Sequence, residues 1–369
     1  MPTRRQLWHS WTAQLQGLVP IARITRLRTW AAVSLGLLWC GQIALLKIAA
    51  TVPGSATDLS RVRRYRRWLA NPTVQVDRLW PPVLRALLAG RREVRLVFDP
   101  TPQAGHATFL LVGIVVHKRI LPVAWRAVPQ QQSWPDRQIV LVRALCQLVA
   151  ATLPAEAQVT LLVDRGITSA AVIDLCHDLG WHFVFRLTAT KTQSATARLP
   201  HGTTGPVWSL VPTRGGHWYG TVALFQAAGW RTVQLTIVWP LAENEPWLLL
   251  SDRPAGRARQ RDYRCRVHCE ATYLDSKSRG WRLAASKLTH LDRLERLFLA
   301  FALALWWAEL LGLRVIRSGQ RRRFDRSDRR DLSLIRLGLR WFHDCLDHQR
   351  LPPLLFRVHA RRWICRWSY

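Results

Sequence analysis

The sequence predicts an α/β core interrupted by a mostly β insertion, with a helical N-terminal region and a basic helical C-terminal region. Three observations carry that reading. Apolar residues recur at helical spacing through residues 1–90. Apolar, β-branched runs then appear at 94–98, 109–117 and 120–127, and such runs alternate with helical stretches as far as 187. Between about 188 and 260 the composition shifts to Gly, Thr, Ser and Trp with short strand-like pieces. The chain accordingly divides into a helical region at 1–90, the first part of the core at 91–190, the β-rich insertion at 191–258, the second part of the core at 259–315 and the basic end at 316–369.

Taken in order, residues 25–49 form a helix, Val52-Pro53-Gly54-Ser55 a turn, and Asp58 opens a second helix dense in arginine at Arg61, Arg63, Arg64, Arg66 and Arg67. A helix, a turn and a basic helix make a small DNA-binding module; a solvated basic face is the plainer alternative. Residues 76–88 add a further helix. The strand at 94–98 ends on Asp99, and Pro100-Thr101-Pro102 reads as a turn because proline cannot donate to a ladder. With 109–117 and 120–127 it makes an antiparallel meander. A helix at 136–153 stops at Pro154, a strand at 159–163 ends on Asp164, a helix at 169–179 closes at Gly180, and a strand follows at 182–187. Three meandering strands followed by alternating helix and strand is the order of a ribonuclease-H-like core. Strand-like pieces at 207–209, 218–225, 231–239 and 246–250 make up the insertion, and a strongly apolar helix at 291–313 packs against the sheet.

The chain of 369 residues carries a formal net charge of +31 and a pI near 11.6, well beyond what solubility requires, so a polyanionic partner is expected, with DNA or RNA favoured. The basic residues are nearly all arginine, with Lys47, Lys118, Lys191, Lys277 and Lys287 the only lysines. A membrane partner is not expected: residues 30–50 are broken by Gln42 and Lys47, and 297–313 is short and carries Glu309, so both read as buried helices. Residues 8–18 include His9, Gln14 and Gln16 instead of the apolar run of a signal peptide. An odd number of cysteines without a C-x-x-C pair points to reduced thiols and a cytoplasmic setting, and Cys265, His268 and Cys269 lack the second ligand pair of a zinc site.

Tyr263, Arg266, Glu270 and Lys277 stand at offsets of three, seven and fourteen. At about 100° per residue they share one side of a helix: a carboxylate to hold a metal, Arg and Lys to grip phosphate, a Tyr to hydrogen-bond or stack. Asp99 and Asp164 each follow an apolar strand, and neighbouring strands about 4.8 Å apart would set them side by side. A divalent cation removes the repulsion between them, and a third carboxylate from a helix completes a two-ion site for in-line displacement at phosphorus. Either aspartate alone reads as an ordinary turn or cap residue; the trio and its cationic neighbours make the case.

The segment around Asp99, Leu161-Leu162-Val163-Asp164-Arg165-Gly166, and the Y-x-x-R-x-x-x-E-x-x-x-x-x-x-K pattern at Tyr263, Arg266, Glu270 and Lys277 together resemble the DDE transposases of the IS-four family of bacterial insertion sequences. The resemblance is strongest over residues 91–280. It implies a ribonuclease-H-like core with Asp99, Asp164 and Glu270 as catalytic ligands of two Mg²⁺ (or Mn²⁺) ions, double-stranded DNA as the partner, Arg266 and Lys277 on DNA phosphates, and Tyr263 helping to hold the transposon end. Trp239 would stack on a flipped base, with Trp230 and Trp218 as rivals. It further implies cut-and-paste transposition through hairpin ends, a homodimer in the synaptic complex, and a cytoplasmic protein associated with the nucleoid when bound to DNA. A catalytically inactive DNA-binding descendant, or a nuclease of the same fold that cuts without joining, are the alternatives. Pro100 and the flanking Cys265 and Cys269 depart from the pattern without removing a catalytic group.

Overall fold

The structure, a computed structural model, describes residues 2–20, 22–103, 107–117, 119–130, 135–188, 195–211, 213–267, 281 and 286–354. Its N-terminal helices are α1 (Pro2–Leu18), α2 (Ile24–Cys40), α3 (Leu45–Thr51), α4 (Asp58–Ala70) and α5 (Val76–Leu88). The expected single helix at 25–49 is thus two, bent by 94° at the break. Gly41 makes that break possible: it takes a left-handed φ of 63° and caps α2 by donating to the Leu37 carbonyl. Thr57 caps α4, accepting from the Ser60 amide.

Next come β1 (Glu93–Gln103), β2 (Ala107–Val116), β3 (Arg119–Pro129), α6 (Pro135–Ala150), β4 (Gln158–Val163), α7 (Ala170–Asp178) and β5 (His182–Arg186). The later strands are β6 (Thr196–Arg198), β7 (Thr204–Pro206), β8 (His217–Leu224), β9 (Arg231–Val238) and β10 (Trp247–Ser251). Helices α8 (Arg257–Arg264), α9 (Leu291–Arg317), α10 (Arg321–Phe324) and α11 (Leu334–Asp347) follow. Val207–Leu210, expected as extended, is a short 3-10 turn.

All ten strands lie in one sheet of order β3-β2-β1-β4-β5-β10-β9-β8-β6-β7. Only β1–β4 and β4–β5 pair in parallel, across the α6 and α7 crossovers; the strands of the β-rich segment continue the sheet from β5 through the antiparallel β10. The two sheet faces separate by alternation. Leu96, Phe98, Leu161, Val163, Phe183 and Phe185 join the main core with the helices. Val97, Leu162, Val184 and Leu249 form a smaller cluster with Tyr263 of α8.

Helix α9 is the spine of the main core. It is long and apolar enough to cross a membrane, yet 89% of its apolar window is buried within the protein. It is tied to the sheet through indoles: Trp306 donates to the Pro122 carbonyl at 2.8 Å, and Trp125 donates to the Glu295 carbonyl at 3.2 Å. Where α11 crosses it, glycines let backbone meet backbone; a Cβ at Gly312 would run into the Leu334 carbonyl and one at Gly338 into the Ala308 carbonyl. Neither obstacle is a side chain that can rotate away. Gly312→Ala is therefore expected to lower stability by about 1–3 kcal/mol. Gly17→Ala, in an exposed helical position with open space around it, should instead raise it by about 0.5–1 kcal/mol. Urea unfolding of the two variants checks the opposite signs.

Candidate active site

The register of β1 places the site. Its parallel pairing with β4 stops at Phe98↔Val163, so Asp99 and Asp164 come next on two adjacent strands at the point where the ladder ends. Each lies two residues beyond a member of the α8-side cluster, Val97 and Leu162, which puts both on that face of the sheet. Asp99 is not at a strand end, however. Strand β1 runs on through Pro100-Thr101-Pro102, paired with β2 alone as far as Gln103↔Ala107. The expected turn is absent because this half of β1 has become an edge, where a residue without an N–H is tolerated on the open side.

Helix α8 crosses this face and supplies the partners. At its end the chain tightens into a 3-10 turn, Cys265–Val267. Arg266 projects from this turn, and one of its nitrogens, Nη2, lies 2.8 Å from Asp99 Oδ1 and 3.0 Å from Asp164 Oδ2. The Tyr263 hydroxyl donates to Asp164 Oδ1 at 3.1 Å, and Thr101 donates to Asp99 Oδ2 at 3.3 Å. The cluster is largely enclosed, with side chains 14% (Asp99), 29% (Asp164) and 23% (Arg266) exposed. Burial, then the neighbouring Asp164 carboxylate, push the Tyr263 phenol well above its usual range, so it remains a protonated donor. The backbone behind Asp164 is fixed too: its carbonyl accepts from the Ile167 amide at 3.0 Å and from the Thr168 hydroxyl at 3.2 Å.

Of the residues singled out in the sequence, Asp99, Asp164, Tyr263 and Arg266 therefore meet, whereas Glu270 and Lys277 lie outside the described residues. Trp239 and Trp218 pack against the main core, and the Trp239 indole donates to the Glu243 carbonyl at 3.1 Å. Trp230 carries the Arg198 guanidinium 4.6 Å above its ring. A different tryptophan packs against Tyr263: Trp247 of β10 meets it edge-on at 5.7 Å, with Arg186 5.8 Å from its ring centre. Its signal in the sequence was the alternation of the strand expected at 246–250, which puts Trp247 on the same face as Leu249.

Two hard carboxylates facing one cationic nitrogen are chemically suited to a divalent ion, since Arg266 already holds the place of a shared positive charge. Among the described residues no group of three His, Cys, Asp or Glu side chains converges as a metal set.

Adjacent parallel strands thus deliver a carboxylate pair that Arg266, in the turn closing α8, holds together. Residues 142–307 match the family model described as the transposase DDE domain. That stretch contains Asp164, Tyr263 and Arg266, while Asp99 precedes it. The chain thus carries a transposase DDE domain, and its enzyme class is that of the DDE transposases, which perform phosphoryl transfer on DNA using divalent metal ions. No curated protein sequence matches the chain. Among solved structures it is similar to a piggyBac transposase synaptic complex with hairpin DNA, at 8% identity and a TM-score of 0.38, over 90% of this chain and 77% of that one; a likeness of that size carries no weight for function.

If Arg266 neutralises the pair, its removal should hurt only while both charges are present. In the absence of divalent ions, Arg266→Gln is expected to lower stability by about 1–3 kcal/mol in the natural background and by less than half of that alongside Asp99→Asn. A double-mutant cycle of denaturation midpoints measures the coupling, and a value near zero would contradict the bridging role.

Proposed function

We propose that the chain is an IS-four-type transposase that cuts DNA at the ends of a mobile element and joins them to a new target. The observation that carries this reading is the single Arg266 nitrogen shared by Asp99 and Asp164: these two carboxylates are placed to share a cation. The sheet supports it, because its order β3-β2-β1-β4-β5, antiparallel through the first three and parallel thereafter, is the arrangement of a ribonuclease-H-like core.

In this reading Asp99 and Asp164, with Glu270, hold two Mg²⁺ (or Mn²⁺) ions. The bound ions supply Lewis acidity at the attacking and leaving oxygens. The residues of the chain then do the following. Arg266, which bridges the two carboxylates, would be free to pair with a DNA phosphate when they hold the ions, a group its planar fork fits equally well. Tyr263 holds Asp164 in place through its hydroxyl and keeps its own proton throughout. Lys277 grips a second phosphate, and Trp239 stacks on an extruded base. Water and then the freed 3′-hydroxyl act as successive nucleophiles, through a hairpin end, without a covalent enzyme intermediate.

The N-terminal region 1–90 adds DNA contacts through α4, where Arg63, Arg64, Arg66 and Arg67 are all exposed. Arg61, grouped with them in the sequence, is not available: it is 8% exposed and donates to the carbonyls of Ala49 and Gly54 while pairing with Asp58. Residues 91–190 and 259–315 form the catalytic core around the insertion 191–258, the region 316–369 is a basic accessory, and the protein works in the cytoplasm as a homodimer that brings two ends together.

A duplex carrying the DNA that flanks this gene tests the proposal. The natural protein with Mg²⁺ should nick at matched inverted ends and join a pre-cleaved end to plasmid. Asp99→Ala and Asp164→Ala should each reduce both reactions to background while changing end binding less than about threefold. Cutting without joining would instead indicate a plain nuclease, and binding without either would indicate an inactive descendant.

A further inference from the structure

The three arginines on the outer side of α8 are not part of the four-residue signature that directs attention to this helix. Arg257, Arg261 and Arg264 stand at i, i+4 and i+7, which at about 100° per residue confines them to an arc of about 60°. All three are exposed. On the opposite side of the same helix Arg259 and Tyr263 are buried against the sheet. The only acid of α8, Asp262, is turned toward Arg95 at 3.3 Å and Arg259 at 3.3 Å and is 16% exposed. Its charge is used beneath the helix, so nothing on α8 neutralises the outer row. Among the described residues no carboxylate lies within ion-pairing distance of Arg257, Arg261 or Arg264. The row rises about 10 Å along the axis and ends two residues before Arg266, which holds the two aspartates.

The arginines at the C-terminal end are arranged differently. Arg321 pairs with Asp325, Arg323 with Asp344, Arg326 with Asp328 and Arg329 with Asp331. Four arginines of that run thus each have a carboxylate partner, which none of the outer row of α8 has among the described residues.

We infer that the outer row of α8 is a phosphate track: a surface that follows the backbone of duplex DNA, without reading its bases, as it leaves the aspartate pair. The inference rests on the transposase reading for the identity of the polyanion. Its physical content is that three fixed, desolvation-cheap guanidinium groups at helical spacing release DNA counterions when they meet successive phosphates.

The test is the salt dependence of binding of the full-length protein to a duplex of arbitrary sequence, followed by fluorescence anisotropy without divalent ions. Arg257→Gln, Arg261→Gln and Arg264→Gln together should reduce the slope of log K against log salt by about 2 to 3 and weaken binding at least about tenfold at moderate salt. The corresponding triple Lys variant should keep the slope to within about 1, which separates lost charge from lost folding. Gln at Arg323, Arg326 and Arg329 removes the same formal charge and should change the slope by less than about 1. The α8 assignment is overturned if the Gln triple keeps the natural slope, if the Lys triple loses it, or if the C-terminal triple lowers it equally. In each of those cases steep salt-dependent binding by the natural protein would leave the transposase reading standing; a natural protein indifferent to DNA would remove both.

Discussion

The pairing of β1 with β4 is the constraint on which the site depends. It ends at Phe98 and Val163, and the next residue on each strand is an aspartate. Two like charges on neighbouring strands, in a setting only 14% and 29% exposed, are costly unless a cation lies between them. Arg266 meets that requirement, and α8, the Tyr263 hydroxyl and the turn behind Asp164 are arranged to hold it there. The arrangement is also reversible in kind. A guanidinium can exchange one anionic partner for another, whereas a methyl group at the same place could not offset the repulsion of the pair.

A second theme is the sorting of positive charge. With 54 Lys and Arg against 23 Asp and Glu, most basic side chains cannot find an acid, and where the acids are placed decides which surfaces stay cationic. Some arginines serve the fold: Arg296 donates to the Val74 and Leu69 carbonyls and pairs with Asp292, and Arg61 ties α4 to α3. Four arginines of the C-terminal run are matched by aspartates. What is left bare includes the outer sides of α4 and α8, so a uniform excess in composition becomes a few directed patches in the fold.

Much of this was legible in the sequence because it depends on local pattern. Apolar runs marked the strands and the acids that follow them, and three-residue spacing linked Tyr263 to Arg266. What was not legible depends on partners distant in the chain. Pro100-Thr101-Pro102 reads as a turn until one knows that β4 stops short and leaves β1 an edge. Arg61 looks like its neighbours until the Ala49 and Gly54 carbonyls close around it. Trp247 cannot be told from Trp239 by composition; only the sheet order, which sets β10 beside β5, brings it to Tyr263. The helix at 291–313 was expected to pack on the sheet, but nothing local marked Glu295 within it, whose carboxylate accepts from the Ala127 amide at 2.8 Å and so fastens the helix to β3.

The most direct test of the shared cation site is an anomalous difference map from crystals soaked in Mn²⁺. The account predicts a peak within coordination distance of both Asp99 and Asp164, with the Arg266 guanidinium moved off the carboxylates. Manganese bound elsewhere on the protein, with Arg266 still bridging the undisturbed pair, would contradict it.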